Sequence, residues 1–168
     1  ELEPSCNLVL NMKNEIEINK YWKINYSSVK IPESEIYQET KRLLNRSMLL
    51  RMRADVPVAF CLSGGIDSSS LAAIATKNLK KNIHTFSVID KDARYDESAN
   101  ISKVVNHLKC ESSFIETSSE NFLTNLEKII SYYQSPVPTV SYYIHNQLIK
   151  KIKESGFSVA ISGTGADE

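Results

Sequence analysis

The segment Leu62-Ser63-Gly64-Gly65-Ile66-Asp67-Ser68-Ser69-Ser70-Leu71, LSGGIDSSSL, decides how this chain reads. It lies between a short apolar run, VPVAFC, and a helix-like run, LAAIATKNLKK. An ordinary strand-to-helix turn needs one or two residues of this kind, whereas this corner carries two glycines, four serines and a carboxylate. Gly64 and Gly65 open backbone conformations closed to other residues and let a ligand approach the main chain. The helix that follows turns its free N–H groups and the positive end of its dipole toward the same spot. Ser63, Ser68 and Ser69 add hydroxyl donors, completing a phosphate cradle. Asp67 repels phosphate unless a cation lies between them, so its presence implies Mg²⁺ held jointly by Asp67 and the phosphates. Helix capping by Asp67 or Ser68 is the plainer reading, but capping requires neither the two glycines nor Ser63. No GxxxxGK[ST] occurs, and no GxGxxG follows a strand, which removes the commoner nucleotide motifs.

Outward from this corner, the chain alternates strand-like and helix-like runs. The spacing predicts strands over 58–62, 84–89, 113–116 and 157–162, and helices over 69–80, 96–109, 121–133 and 142–154. Such alternation is the mark of βαβ units, so the predicted fold class is α/β: a parallel sheet with helices on both faces. Before it come a weakly alternating lead-in over residues 2–22, read as a hairpin, and a helix of about twenty residues from Pro32 to Arg53. In parallel sheets ligands bind beyond the carboxyl ends of the strands. Two predicted strands end in serine followed by glycine, Leu62-Ser63-Gly64 and Ile161-Ser162-Gly163, and both corners would open on one edge. The second, Ser162–Glu168 (SGTGADE), repeats the first in kind, with Asp167 as a second carboxylate for the magnesium. Alone it also reads as a solvated turn opening a helix.

Composition narrows the classes. A chain of 168 residues with 42% hydrophobic and 24% charged residues can bury one real core. The formal net charge is zero and no basic stretch is interleaved with aromatics, so nucleic acid is not an expected partner. No apolar run reaches the roughly 18–20 residues that cross a bilayer, and no membrane is expected. Cys6, Cys61 and Cys110 have neither CxxC spacing nor an even count, which points to reduced thiols in a cytoplasmic setting. The chain opens on Glu1 without methionine and stops just after a glycine-rich loop, so it is expected to be a piece of something longer.

SGGIDSS at Ser63–Ser69 resembles the pyrophosphate-binding loop, SGGxDS, of the ATP pyrophosphatase superfamily. Five fixed letters, each at roughly 7% usage or below, coincide on the order of once in a million positions. With the second corner about a hundred residues on, the chain resembles the synthetase domain of glutamine-hydrolysing asparagine synthetases, whose second motif reads like SG(E/D)G(A/S/G)DE. Tyr21-Trp22, RMRADVPVAFCLSGGIDSSSLAAIA, FSV and ESANISKVVNHL resemble further segments of that family, so the likeness covers about Tyr21 to Glu168. The resemblance implies an adenine nucleotide alpha hydrolase-like sheet, ATP and Mg²⁺ as cofactors, and formation of an amide through an adenylate. It implies residues 1–31 as a lead-in from an N-terminal glutaminase domain and 32–168 as the first part of the synthetase domain. By position, Asp67 and Asp167 would share magnesium and pyrophosphate, while Ser63, Gly64, Gly65, Ser68 and Ser69 would hold phosphates. Leu62, Val88 and Gly163, beside Ser162, would border the adenosine. Aspartate or a similar carboxylate and ammonia would be the substrates, with a homodimer left open. The fragment alone is expected to bind ATP weakly and turn nothing over.

Thr164 departs from the family, which often has an acid there to bind the adenylate or manage the proton of ammonia. Threonine exchanges hydrogen bonds but is no general base at neutral pH. Either another group takes that role, or the acceptor is a different carboxylate such as a sugar acid. A non-catalytic nucleotide-binding module is the remaining alternative. His84, His107 and His145 are read as surface or capping residues, and the charged loop Asp92, Arg94, Asp96 and Glu97, near a strand end, either as sitting over the site or as helix capping by Asp96. Tyr132, Tyr133, Tyr142 and Tyr143 flank SPVPT and read either as core or as the lining of an ammonia path.

Overall fold

The computed structural model describes residues 2–25 and 30–165. Asp167, one of the two expected magnesium ligands, lies outside these described residues, as does the Ala166–Glu168 end of the second motif. The chain divides into two compact units, Glu1–Gln38 and Glu39–Glu168, the division falling inside one helix.

In the first unit, strands β1 (Cys6–Leu10) and β2 (Ile16–Lys20) pair antiparallel, with Leu8 opposite Ile18 and Leu10 opposite Ile16. The connecting turn is held by Asn11, whose side-chain carbonyl accepts the N–H groups of Lys13 (2.8 Å) and Glu15 (3.0 Å). Asparagine at the head of a turn often provides this local acceptor. Helix α1 (Glu33–Arg51) begins within this unit.

In the second unit, four parallel strands stand in the order β5 (Glu111–Glu116), β4 (His84–Ile89), β3 (Val58–Cys61), β6 (Val159–Ile161). Alternation along β3 sends Phe60 to one face and Ala59 and Cys61 to the other. Phe60 and Ile161 join Met48 of α1, Ala72 of helix α2 (Ile66–Ala73) and Leu108 of helix α3 (Ser98–Leu108) in one buried cluster. Ala59 and Phe86 join Leu148 and Ile152 of helix α5 (Ser141–Glu154) in the other, and helix α4 (Phe122–Tyr133) packs on α5 through Phe122 and Tyr143. Helices therefore cover both faces, the α/β class read from the sequence.

Several element boundaries differ from the sequence-based expectations, and three of the differences have a clear physical reason. The helix expected over 69–80 starts at Ile66, because Gly65, extended at φ −71 and ψ 167, is its N-cap. It then widens into a π-helical segment, Ile74–Asn78, with the N–H of Leu79 on the Ile74 carbonyl (3.0 Å). The Thr76 hydroxyl donates to the Ala72 carbonyl (2.8 Å), a local competitor with the helical ladder. Strand β5 begins two residues early, since Glu111 and Ser112 pair with His84 and Thr85 despite their polarity. Strand β6 is shorter than expected. Gly156, at φ +88, closes α5, and the N–H of Phe157 bonds the Ile152 carbonyl (3.2 Å) rather than starting a ladder.

His84 is half-buried, stacked on Phe86 (4.6 Å) and edge-on to Phe157 (5.5 Å), with Nε2 2.8 Å from the Ser113 hydroxyl. It is an internal packing residue, not the surface residue the sequence suggested. All three cysteines are free. No helix among the described residues is long and apolar enough to cross a membrane.

Candidate nucleotide site

The β3–α2 corner is braced from within. The Ser68 hydroxyl accepts the N–H of Ser63 (3.2 Å), lies 3.0 Å from the Ser63 hydroxyl, and donates to the Gly65 carbonyl (3.4 Å). Ser63 Oγ in turn accepts the Gly65 N–H (3.3 Å). Ser68 is buried, so its hydroxyl organises the loop from beneath. Leu62 extends the β3–β4 ladder, its N–H on the Phe86 carbonyl at 2.9 Å. Gly64 has φ +79, and a Cβ there would come within 3.1 Å of both Asn100 Cβ and the Ile101 nitrogen. The glycine thus serves both the turn and the close passage of α3.

The N-terminus of α2 has no side-chain cap. Asp67 stands in its first turn, but it does not cap, which removes the plainer reading of that carboxylate. First-turn N–H groups without intrahelical partners are donors for an anion. The Ser69 hydroxyl is buried without a partner, an orphan in the same turn.

The second corner lies directly against the first. A Cβ on Gly163 would meet the Ser68 nitrogen at 2.9 Å and Asp67 Cβ at 3.2 Å. The Ser162 hydroxyl is 2.8 Å from that of Thr164 and accepts the Thr164 N–H (3.2 Å). Two loops a hundred residues apart therefore form one wall.

Both open on a cavity of about 630 Å³. Of the expected site residues, Leu62, Ser63, Gly65, Asp67, Ser68, Val88, Ser162, Gly163 and Thr164 line it. Gly64 and Ser69 are not part of its lining. Its lining combines the two serine-glycine corners with an apolar set, Cys61, Leu62, Phe86, Val88 and the α5 residues Ile144, Leu148 and Ile149. Polar donors beside an apolar surface suit a flat heterocycle carrying phosphates. Burial pushes the Cys61 thiol above the ordinary cysteine range, so this wall carries an uncharged thiol.

Among the described residues, no three His, Cys, Asp or Glu side chains cluster as a metal site. Asp67 alone faces the cavity from the phosphate loop. That fits Mg²⁺, which takes one or two carboxylates and completes its shell with phosphates and water. It does not fit a preformed protein cage.

Two further residues line the cavity that the sequence reading set aside. Glu97 does so from the turn before α3, while its neighbour Asp96 accepts the Ser98 N–H (3.0 Å) and hydroxyl (2.6 Å) and opens that helix. His145 does so from α5, on one face with Ile144, Leu148 and Ile149. A single imidazole on an otherwise aliphatic face was the signal available in the sequence. None of the four tyrosines near SPVPT lines the cavity. Tyr143 is buried with its hydroxyl on the Ser118 carbonyl (2.9 Å), the core reading of that residue.

The sequence profile of the asparagine synthase family matches residues 39–168. The chain is 28% identical over 172 residues to glutamine-hydrolyzing asparagine synthetase 1 of Bacillus subtilis, covering 100% of this chain and 26% of that protein. It is 30% identical over 179 residues to the amidase chyE of Penicillium rubens, covering 95% of this chain and 27% of that protein. It thus spans about a quarter of the length of these curated relatives. Among solved structures, the U34-tRNA thiolase NcsA of Methanococcus maripaludis superposes with a TM-score of 0.56 at 18% identity, over 80% of this chain and 48% of that one. That likeness is one of fold.

Proposed function

The chain belongs to the asparagine synthase family, and from that premise we propose that it forms the nucleotide-binding part of an ATP-dependent amide-forming ligase. In this reading the full-length protein transfers AMP from ATP to a carboxylate, releases pyrophosphate, and lets ammonia displace AMP. Aspartate is the acceptor we assign first. Glutamine supplies the ammonia through an N-terminal glutaminase domain, residues 1–31 form the lead-in from it, and residues 32–168 open the synthetase domain. The free cysteines support a cytoplasmic setting.

The observation that carries the reading is the contact of Gly163 with the first turn of α2, which merges both serine-glycine corners into one cradle. Ser63, Gly65 and Ser68, which line the cavity, orient the β- and γ-phosphates through hydroxyl and backbone donors, and Gly64 and Ser69 complete the loop that presents them. Leu62 and Val88 hold the adenosine against the apolar lining, with Ser162 and Gly163 bordering it from the second corner. Asp67 and Asp167 would hold magnesium, which when bound neutralises charge on the departing pyrophosphate. Catalysis then rests on holding the acceptor carboxylate in line with the α-phosphate and on donors already aimed at developing charge.

Thr164 favours a second reading of the acceptor. Its hydroxyl is tied to Ser162 at 2.8 Å and brings no charge to the cavity, so a carboxylate other than aspartate, such as a sugar acid, remains in play. The amidase among the relatives supports keeping the acceptor open.

The test uses the full-length protein with Mg-ATP, radiolabelled pyrophosphate and candidate acceptors added singly. Exchange of label into ATP that depends on aspartate supports the asparagine synthetase reading. Exchange that depends on another carboxylate moves the acceptor and keeps the chemistry. Absence of exchange with every acceptor would leave only a nucleotide-binding module.

A further inference from the structure

Among the described residues lining the cavity, four side chains can exchange a proton: Cys61, Asp67, Glu97 and the exposed His145. They do not stand in one place. Asp67 belongs to α2, and Glu97 precedes α3, whose Asn100 and Ile101 abut Gly64; both carboxylates are on the phosphate-loop side. His145 comes from α5, which packs on the opposite face of the sheet through Leu148 and Ile152. It is the only polar residue that α5 gives to the cavity, beside Ile144, Leu148 and Ile149.

We propose that His145 is the proton acceptor for the amide-forming half-reaction. This rests on the ligase reading above. The lone pair of ammonia adds to the carbonyl carbon of the acyl adenylate. The bond from that carbon to the AMP oxygen then breaks, its electron pair leaving with AMP. The nitrogen retains one proton more than the amide needs, and that proton passes to a ring nitrogen of His145.

The other candidates fail on chemistry. Asp67 is committed to the metal and pyrophosphate. Glu97 stands with the phosphate loop, where anionic charge is concentrated. Burial pushes the Cys61 thiol up, which makes the thiolate that could accept a proton scarcer. Thr164 has a hydroxyl held by Ser162 and cannot retain a proton at neutral pH. An imidazole in its neutral form can accept one, and on an aliphatic wall away from the phosphates it meets the incoming amine without competing for the metal.

The experiment compares the full-length wild type with H145Q and H145A in three assays. Acceptor-dependent pyrophosphate exchange reports adenylation, amide formation from ammonium reports the whole reaction, and hydroxamate formation reports the same transfer to hydroxylamine. Loss of a general base costs about 100-fold or more, so amide formation should fall by that factor while exchange persists. Hydroxylamine is a weaker base that sheds its proton to water, so hydroxamate formation should fall far less, and added imidazole should restore amide formation in H145A. Equal losses with ammonia and hydroxylamine, or wild-type amide formation in H145Q, would overturn the assignment. Absence of acceptor-dependent exchange in the wild type would instead remove the ligase reading beneath it.

Discussion

Replacing Gly163 by alanine tests the central geometric statement, that the two corners are one structure. The added Cβ would stand 2.9 Å from the Ser68 nitrogen and 3.2 Å from Asp67 Cβ and Ser68 Cα. These neighbours belong to the first turn of α2, so no flexible side chain can swing away. Overpacking of this kind costs about 1–3 kcal/mol. If the strain is relieved by parting the corners, that energy is taken from nucleotide binding, a loss of about 5- to 150-fold in affinity. Gly156→Ala is the matched control: it sits at φ +88 with nothing within 4 Å of the new Cβ. Left-handed strain there costs about 1–2 kcal/mol of stability and should leave Mg-ATP affinity alone. Calorimetric titration with Mg-ATP and urea denaturation of the full-length variants separate the two effects. A Gly163→Ala variant with wild-type affinity and an unchanged urea midpoint would refute the close contact.

Further predictions address the site and the core. Asp67→Asn should keep its urea-unfolding free energy to within about 0.5 kcal/mol, since the side chain is exposed. Its acceptor-dependent exchange should fall by about 100-fold or more if the carboxylate holds charge in the transition state. Phe86→Ala removes a fully buried ring between β4 and α5 and should cost about 3–5 kcal/mol in urea unfolding. Because burial raises the Cys61 thiol, the thiolate is scarce at neutral pH and its fraction grows as pH rises. Alkylation of Cys61, followed by peptide mass spectrometry, should therefore be slow near neutrality and accelerate in alkali. Mg-ATP should slow it further, because the side chain lines the cavity.

Much of this arrangement was legible along the chain. LSGGIDSSSL pointed to a corner that lines the cavity because each of its residue types has a local physical reason to be there. The alternation of apolar runs gave four strands and their helices, since a period of two or of 3.6 residues is a local property. The elements that escaped notice depend on distant partners. Glu111 and Ser112 are polar, and they are strand only because β4 offers a ladder to pair with. Phe157 reads as strand by composition, but its N–H is taken by the turn that closes α5. The expected division after residue 31 and the role of Asp167 stay proposals.

What the sequence alone determined, then, is the chemistry of each corner and the α/β class, because both rest on neighbours within a few residues. What only the tertiary structure decided is which groups share the cavity. Parallel pairing of β3 with β6 brings Gly163 against Ser68 across nearly a hundred residues. The docking of α5 on the Ala59 and Phe86 face brings His145, which stays exposed to solvent as the sequence suggested, to the rim of the cavity. Burial of Leu148 and Ile152 fixes that helix, and the hydrophobic contact that drives it is non-directional and specified by no local motif.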